Sequence, residues 1–281
     1  MHPFLNTAVR AARRAGDRIA QAVDRLDLVK VDQKAPNDFV SDIDRQAEAL
    51  IIDGLRRAYP EHGFLGEEGG LIEGTGAGKE HVWIIDPIDG TTNFLHGIPH
   101  FAVSIALRIK GQVEHGVVLD PIKREEFTAS RGGGASLNGK RIRVSQCKGL
   151  QSALVATGIP FRNHTDMERP RIDSYFRALR AVADATTGVR RAGSAALDLA
   201  YVAAGRYDAY WEYGIKEWDI AAGALMVQEA GGLVSDHSGG NGYRTGGEIL
   251  CGAPKCHLAL LEVLRESRNP QTTSPSPNRK G

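Results

Sequence analysis

Cysteine is scarce in this chain of 281 residues: Cys147, Cys251 and Cys256 are the full set. An odd number without paired spacing argues against a disulfide framework and fits a reducing cytoplasm. Cys251 and Cys256, even with His257 beside them, are too few and too poorly spaced for a zinc site. No apolar run is long enough to cross a membrane. The N-terminus is charged and amphipathic and lacks the apolar core of a signal peptide. Neither sign of charge dominates, with 35 Lys and Arg against 34 Asp and Glu, a formal +1. That balance disfavours a general nucleic-acid binder and leaves room only for a local basic patch. No Gly-x-Ser-x-Gly elbow occurs, which disfavours a serine hydrolase. No internal repeat is evident.

What is present is length enough for one large or two modest domains with a real core. Residues 4–24 carry Leu5, Ala8, Val9, Ala12, Ile19 and Val23 at helical spacing. A second helix is expected over residues 41–59, opening on polar Ser41-Asp42-Ile43-Asp44 and showing Ala47, Leu50, Ile51 and Leu55 on one face. Residues 100–130 read as an antiparallel meander with turns at Gly111-Gln112 and Asp120-Pro121, and Asn138-Gly139 marks a further hairpin. Beyond Cys147-Lys148-Gly149 strands and helices alternate. The strand candidates are 152–157, 207–212, 232–235 and 248–251, and the helix candidates are 167–184, 195–204, 219–230 and 255–266. These patterns predict an N-terminal domain over 1–147 and a C-terminal domain over 148–266. Residues 267–281 contain three prolines and no apolar residue and are expected to be a disordered tail.

The chemistry concentrates in Asp86-Pro87-Ile88-Asp89-Gly90-Thr91-Thr92-Asn93-Phe94. Val82-Trp83-Ile84-Ile85 before it reads as a buried strand, so Asp86 and Asp89 are expected where a strand ends and a loop begins. Pro87 fixes its own φ and stiffens the turn, which can aim two carboxylates and the Ile88 carbonyl at one point. Oxygen-only ligands suit a hard cation such as Mg²⁺. Gly90, Thr91 and Thr92 offer N–H groups and hydroxyls to a phosphate. The same residues would also serve as a plain turn and helix cap. Two distant segments favour the metal reading. Gly66-Glu67-Glu68-Gly69-Gly70 follows the strand-like Gly63-Phe64-Leu65. Trp218-Asp219-Ile220-Ala221-Ala222-Gly223 puts an acid at the mouth of an Ala-rich helix, where Asp219 could equally be an N-cap. Gly74-Thr75-Gly76-Ala77-Gly78-Lys79 is not a nucleotide loop, because it precedes a strand and Glu80 stands where Ser or Thr would bind Mg²⁺.

In these segments, and in Pro99-His100-Phe101-Ala102-Val103-Ser104-Ile105, the chain resembles the inositol monophosphatases. Gly193-Ser194-Ala195-Ala196-Leu197-Asp198-Leu199-Ala200-Tyr201 points to the bacterial SuhB branch of that family. The resemblance spans His2 to about Leu264. It implies a layered αβαβα sandwich of mixed α+β and α/β character. The implied activity is Mg²⁺-dependent hydrolysis of myo-inositol monophosphate to inositol and phosphate. A relaxed sugar-phosphate or nucleotide phosphatase, or a regulator of transcription antitermination acting with NusA and RNA polymerase, is the alternative; both roles could share the chain. By resemblance, Glu67, Asp86, Asp89, Asp219 and the Ile88 carbonyl hold two or three Mg²⁺, with Asp86 bridging two. Thr91 and Glu67 orient and activate the attacking water, and Asp44 hydrogen-bonds Thr91. Asp44 could otherwise be an ordinary acid at a helix start. Gly90, Thr91 and Thr92 hold the phosphate, while Gly193, Ser194, Ala195 and Glu212 hold inositol hydroxyls. Glu212 could instead be a strand-end surface charge. Arg190, with Arg191, would serve the substrate rim or a dimer interface. The expected partners are a small phosphate monoester and a second copy of the chain, with no membrane.

Overall fold

In the computed structural model, which describes residues 2–35, 38–160 and 169–268, the chain stacks five layers in the order α, β, α, β, α. Helix α1 (Pro3–Val23) leads into an antiparallel ribbon of β1 (Val31–Ala35) and β2 (Asp38–Ser41), then α2 (Asp42–Ala58). Strands β3 (Gly63–Gly66), β4 (Gly70–Ile72) and β5 (His81–Asp89) precede the short helix α3 (Thr91–Leu95). The meander follows as β6 (Ala102–Ile109), β7 (Gln112–Asp120), β8 (Glu125–Ser130), β9 (Gly134–Leu137) and β10 (Lys140–Arg141). Then come β11 (Leu154–Thr157), α4 (Arg169–Ala185), β12 (Gly188–Arg190), α5 (Ala195–Ala203) and β13 (Ala209–Tyr213). The last elements are α6 (Glu217–Glu229), β14 (Leu233–Ser235), α7 (Tyr243–Gly246), β15 (Glu248–Gly252) and α8 (Pro254–Arg268).

Among the described residues the larger sheet has eight strands in the order β10-β9-β8-β7-β6-β5-β3-β4, and the smaller has five in the order β12-β11-β13-β15-β14. In the larger sheet β3 runs parallel to β5 and the other pairs are antiparallel. Residues 82–85 of strand β5 form an unbroken apolar run, Val-Trp-Ile-Ile, because both faces of the strand are covered. Trp83 and Ile85 join Leu5, Ala12, Ile19, Ile51 and Leu55 of α1 and α2. Ile84 points the other way, into the core shared with α5 and α6, as the two-residue period of a strand requires. Helix α6 is buried along residues 220–227 because it is sandwiched between the two sheets, which explains why it is apolar on nearly every side. Its close approach needs small residues: a Cβ on Gly116 would meet Ala222 Cα at 3.0 Å, and one on Gly223 would meet Leu199 Cβ at 2.5 Å. Tyr175, Ala178 and Val182 of α4 and Leu260 and Leu264 of α8 are buried in the same core as the small sheet.

The ribbon, β4 and β12 were not expected from the sequence; all are short. Helix α8 continues two residues into the stretch expected as tail. Ser267 Oγ donates to Val263 O at 2.7 Å, and Ser267 O accepts from Ser174 Oγ at 3.1 Å and Arg177 Nε at 3.0 Å. Those partners keep polar residues helical where composition suggested otherwise. Residues 269–281, the rest of the expected tail, lie outside the described residues, as do the first two positions of the helix expected over 167–184.

Candidate metal centre

A bulge at the end of β5 aims the acids. Asp86 pairs with Ser104 and Asp89 with Ala102, so the β5 strand takes one extra residue between the two pairs. Pro87, with no N–H to give, sits where the ladder is interrupted. Both acids thus belong to a distorted strand end that resumes pairing at Asp89, and not to a loop. Asp86 Oδ1 accepts the Ile88 N–H at 3.0 Å. Gly90 then takes φ 98°, and a Cβ there would sit 3.1 Å from the Gly193 carbonyl oxygen and 3.2 Å from that of His100. Glycine is required on both counts.

Asp219 arrives from the first turn of α6. It is the third residue of the helix, not its N-cap, and its Oδ2 accepts the Lys216 N–H at 2.8 Å. Carboxylate oxygens of Asp86, Asp89 and Asp219 all lie within 4.8 Å of one another. Desolvation holds the Asp86 carboxyl well above the usual carboxylate range, and the charges of Glu67, Asp89 and Asp219 push the same way. Desolvation also raises Asp219, followed by the Asp89 charge, with Glu67 and Glu212 adding to it. Glu67, whose side chain hydrogen-bonds Asp86, therefore shares the cluster. Acids crowded this way must keep protons or take a cation. A set of carboxylates, without thiolate or imidazole, suits a hard divalent ion, so the residues present fit one.

Neighbouring groups brace the cluster. Asp89 Oδ2 accepts from Ser194 Oγ, at the start of α5, and from the Ala196 N–H at 2.7 Å. Asp44 is fully buried, and its Oδ1 lies 2.9 Å from Thr91 Oγ1, which is also 3.0 Å from the Ile88 carbonyl oxygen. Asp44 Oδ2 accepts the Ser41 N–H at 2.8 Å, so the same carboxylate caps α2 and reaches Thr91. Desolvation raises Asp44, opposed by hydrogen bonds from Ser41 and Thr91. Gly193 has φ 91°, Ser194 caps α5 and Ala195 is its first residue. Glu212, on β13, accepts the Tyr210 hydroxyl. A Cβ on Gly158 would fall 1.9 Å from Glu212 Cδ, so glycine there makes room for this side chain. Arg190 is exposed at the end of β12 and turns back on its own strand, donating to Val189 O at 3.2 Å. Arg191 is exposed as well.

Two residues of this region were not singled out from sequence. Asn93 Nδ2 donates to His100 O at 2.7 Å and Ala192 O at 2.9 Å, tying α3 to the segment before α5. Asp198 of α5 is 1 % exposed, and its Oδ1 has no partner among the described residues. Desolvation, then the charges of Glu212 and Asp89, hold its carboxyl well above the usual range. The signal was an acid inside an otherwise apolar helix, Ala195-Ala196-Leu197-Asp198-Leu199.

The sequence model of the inositol monophosphatase family matches residues 1–269. The chain is 56% identical over 265 residues to the Nus factor SuhB of Pseudomonas aeruginosa, an alignment covering 94% of this chain and 97% of that one. It is also similar to the crystal structure of the extragenic suppressor protein SuhB of Bartonella henselae, with TM-score 0.88 and 45% identity over 93% of this chain and 98% of that one. An IMPase of Thermotoga maritima superposes with TM-score 0.83 at 35% identity, covering 94% of this chain and 97% of that one.

Proposed function

Because the chain belongs to the inositol monophosphatase family, we propose that it is a Mg²⁺-dependent phosphomonoesterase acting on myo-inositol monophosphate. The observation that carries this reading is the convergence of three carboxylates within 4.8 Å of one another beside the Gly90 turn. Glu67, Asp86, Asp89, Asp219 and the Ile88 carbonyl are the proposed ligands for two or three ions. Bound there, Mg²⁺ would neutralise phosphate charge, acidify water and stabilise the leaving alkoxide. Thr91 has one hydroxyl proton; donated to Asp44, it leaves lone pairs to orient the attacking water. Glu67 accepts the proton that water releases. The N–H groups of Gly90, Thr91 and Thr92 hold non-bridging phosphate oxygens and leave the position opposite the ester bond to the attacking water, which favours in-line displacement without a covalent intermediate. Ser194, the backbone at Gly193 and Ala195, and Glu212 receive the inositol hydroxyls, with Arg190 at the rim. Among the described residues no helix is long and apolar enough to cross a membrane.

Turnover of a panel of phosphate esters, with Mg²⁺ and with chelator, tests the proposal. Inositol monophosphate should be hydrolysed only with Mg²⁺ and faster than sugar phosphates or nucleotides. Equal rates across the panel would favour the relaxed phosphatase, and no hydrolysis at saturating Mg²⁺ would refute the activity altogether.

A second reading is supported by the name Nus factor carried by the relative at 56% identity. We propose that the chain, as a cytoplasmic homodimer, also joins a transcription antitermination complex with NusA and RNA polymerase. Its surface would lie away from the acid cluster, and the exposed Arg190-Arg191 pair is a candidate part of it. A NusA pull-down with wild type and Asp86→Asn should give equal capture. Absence of capture by wild type would remove this reading, and loss of capture with the variant would make it depend on the metal.

A further inference from the structure

Glu48 follows Asp44 by one turn of α2, so both acids leave the same face of that helix. Glu48 is 4 % exposed. Its carboxylate grips two consecutive amides of the turn after β3: the Glu68 N–H reaches Oε2 at 3.0 Å and the Gly69 N–H reaches Oε1 at 2.7 Å. The turn closes tightly on it. A Cβ at residue 66 would stand 2.4 Å from Oε2 and one at residue 69 would stand 2.8 Å from Oε1. The glycines flanking Glu67-Glu68 are thus what admit the carboxylate. Glu67 is held from the other side as well, because its N–H donates to the Ile85 carbonyl at 3.1 Å, one residue before Asp86.

From this cradle we infer that Glu48 is a positioning residue that holds the Glu67 carboxylate against Asp86 and so sets the affinity of the site for a divalent cation. The inference rests on the reading of Glu67 as a ligand. A turn with glycine at residues 66, 69 and 70 is intrinsically loose, and ordering it at the moment of binding would weaken the complex. Two hydrogen bonds from its amides to a buried carboxylate order it beforehand. Helix α2 then serves both halves of the site, Asp44 through Thr91 and Glu48 through Glu67.

Glu48→Gln tests the role. Gln keeps the shape and one acceptor but turns an NH₂ toward one of the two amides. Calorimetric titration with Mn²⁺, on protein whose metal-free melt shows it folded, should give binding about 10–100-fold weaker than wild type, the range for outer groups that orient metal ligands. Glu67→Gln should also weaken binding. The double variant should bind no more weakly than Glu67→Gln alone, since Glu48 acts through Glu67. Unchanged affinity in Glu48→Gln, or losses that add in the double variant, would overturn the inference. Wild-type affinity in Glu67→Gln would overturn it too, and would trace the fault to the ligand reading. Should Glu48→Gln fail to fold, Gly69→Ala displaces the same carboxylate and is expected to lose Mn²⁺ affinity in the same range; a folded Gly69→Ala with wild-type affinity would equally refute the role.

Discussion

Replacing Asp86 with Asn should separate what the acid does for the metal from what it does for the fold. Without metal, desolvation and three neighbouring acids favour the neutral form of Asp86. Asn has the shape of a neutral carboxyl, and its oxygen can keep the Ile88 N–H bond that Asp86 Oδ1 accepts at 3.0 Å. In chelator the variant should therefore melt within about 1 kcal/mol of wild type, the net worth of one ordinary hydrogen bond. With Mg²⁺ at a hundred times its dissociation constant the wild type gains about 2.7 kcal/mol per tightly held ion. For a chain of this length that is about 5 °C in melting temperature, and the variant should gain about 1 °C or less. The sign of the pH dependence is also set. Carboxyls raised in the folded state, as Asp86 and Asp219 are, contribute stability that is full below the unfolded value and lost as pH rises through the folded one. Metal-free wild type should thus lose that contribution on going to higher pH, while the Mg²⁺-induced gain grows, because the ion displaces protons. Scanning fluorimetry with chelator and with Mg²⁺ across pH, with turnover on the same samples, reads all of this. An equal Mg²⁺ gain in the variant would refute Asp86 as a ligand. A variant several kcal/mol less stable in chelator would refute the neutral carboxyl.

Gly223→Ala should lower stability by about 1–2 kcal/mol: overpacking costs about 1–3 kcal/mol against a Leu199 Cβ 2.5 Å from the new methyl, and helix propensity returns up to about 1 kcal/mol. A melt at or above wild type would show that α5 and α6 can part freely. Glu212→Gln should slow inositol phosphate turnover about tenfold to a hundredfold more than turnover of a simple aryl phosphate, the worth of one hydrogen bond to a charged group; equal losses on the two substrates would mean that Glu212 acts on the whole site. Desolvation depresses His62, His100, His115 and His237 to about 4. Their contribution to stability is complete above the unfolded value and lost as pH falls toward 4, so NMR of the ring carbons should show all four neutral at pH 5.5, and a midpoint near 6.5 for any of them would contradict its burial.

Much of the architecture was legible because its signals are local. The 3.6-residue period of α1 and α2, the Gly111-Gln112 turn and the Asn138-Gly139 hairpin each lie within a few residues, and the elements stand where those signals put them. Short pieces carried too little pattern: β12 has three residues and β4 three, less than one alternation can establish. Ser267 and Arg268 look like tail by composition and are helical because α4 supplies Arg177 and Ser174 to the end of α8.

By itself the sequence determined which residues could form strands, helices and turns, and that three acid-bearing segments end or begin such elements. Only the tertiary structure decided that Asp86, Asp89 and Asp219 bring oxygens within 4.8 Å of one another, that Glu48 enters the turn bearing Glu67, and that Asp198 is buried beside the charge of Glu212. Like charges repel, so no local preference of the chain draws these acids together. The β5 bulge turns Asp86 and Asp89 toward one side. The packing of α6 against the large sheet and against α5, allowed by Gly116 against Ala222 and Gly223 against Leu199, delivers Asp219 to meet them, because burial of that helix outweighs the repulsion at its tip.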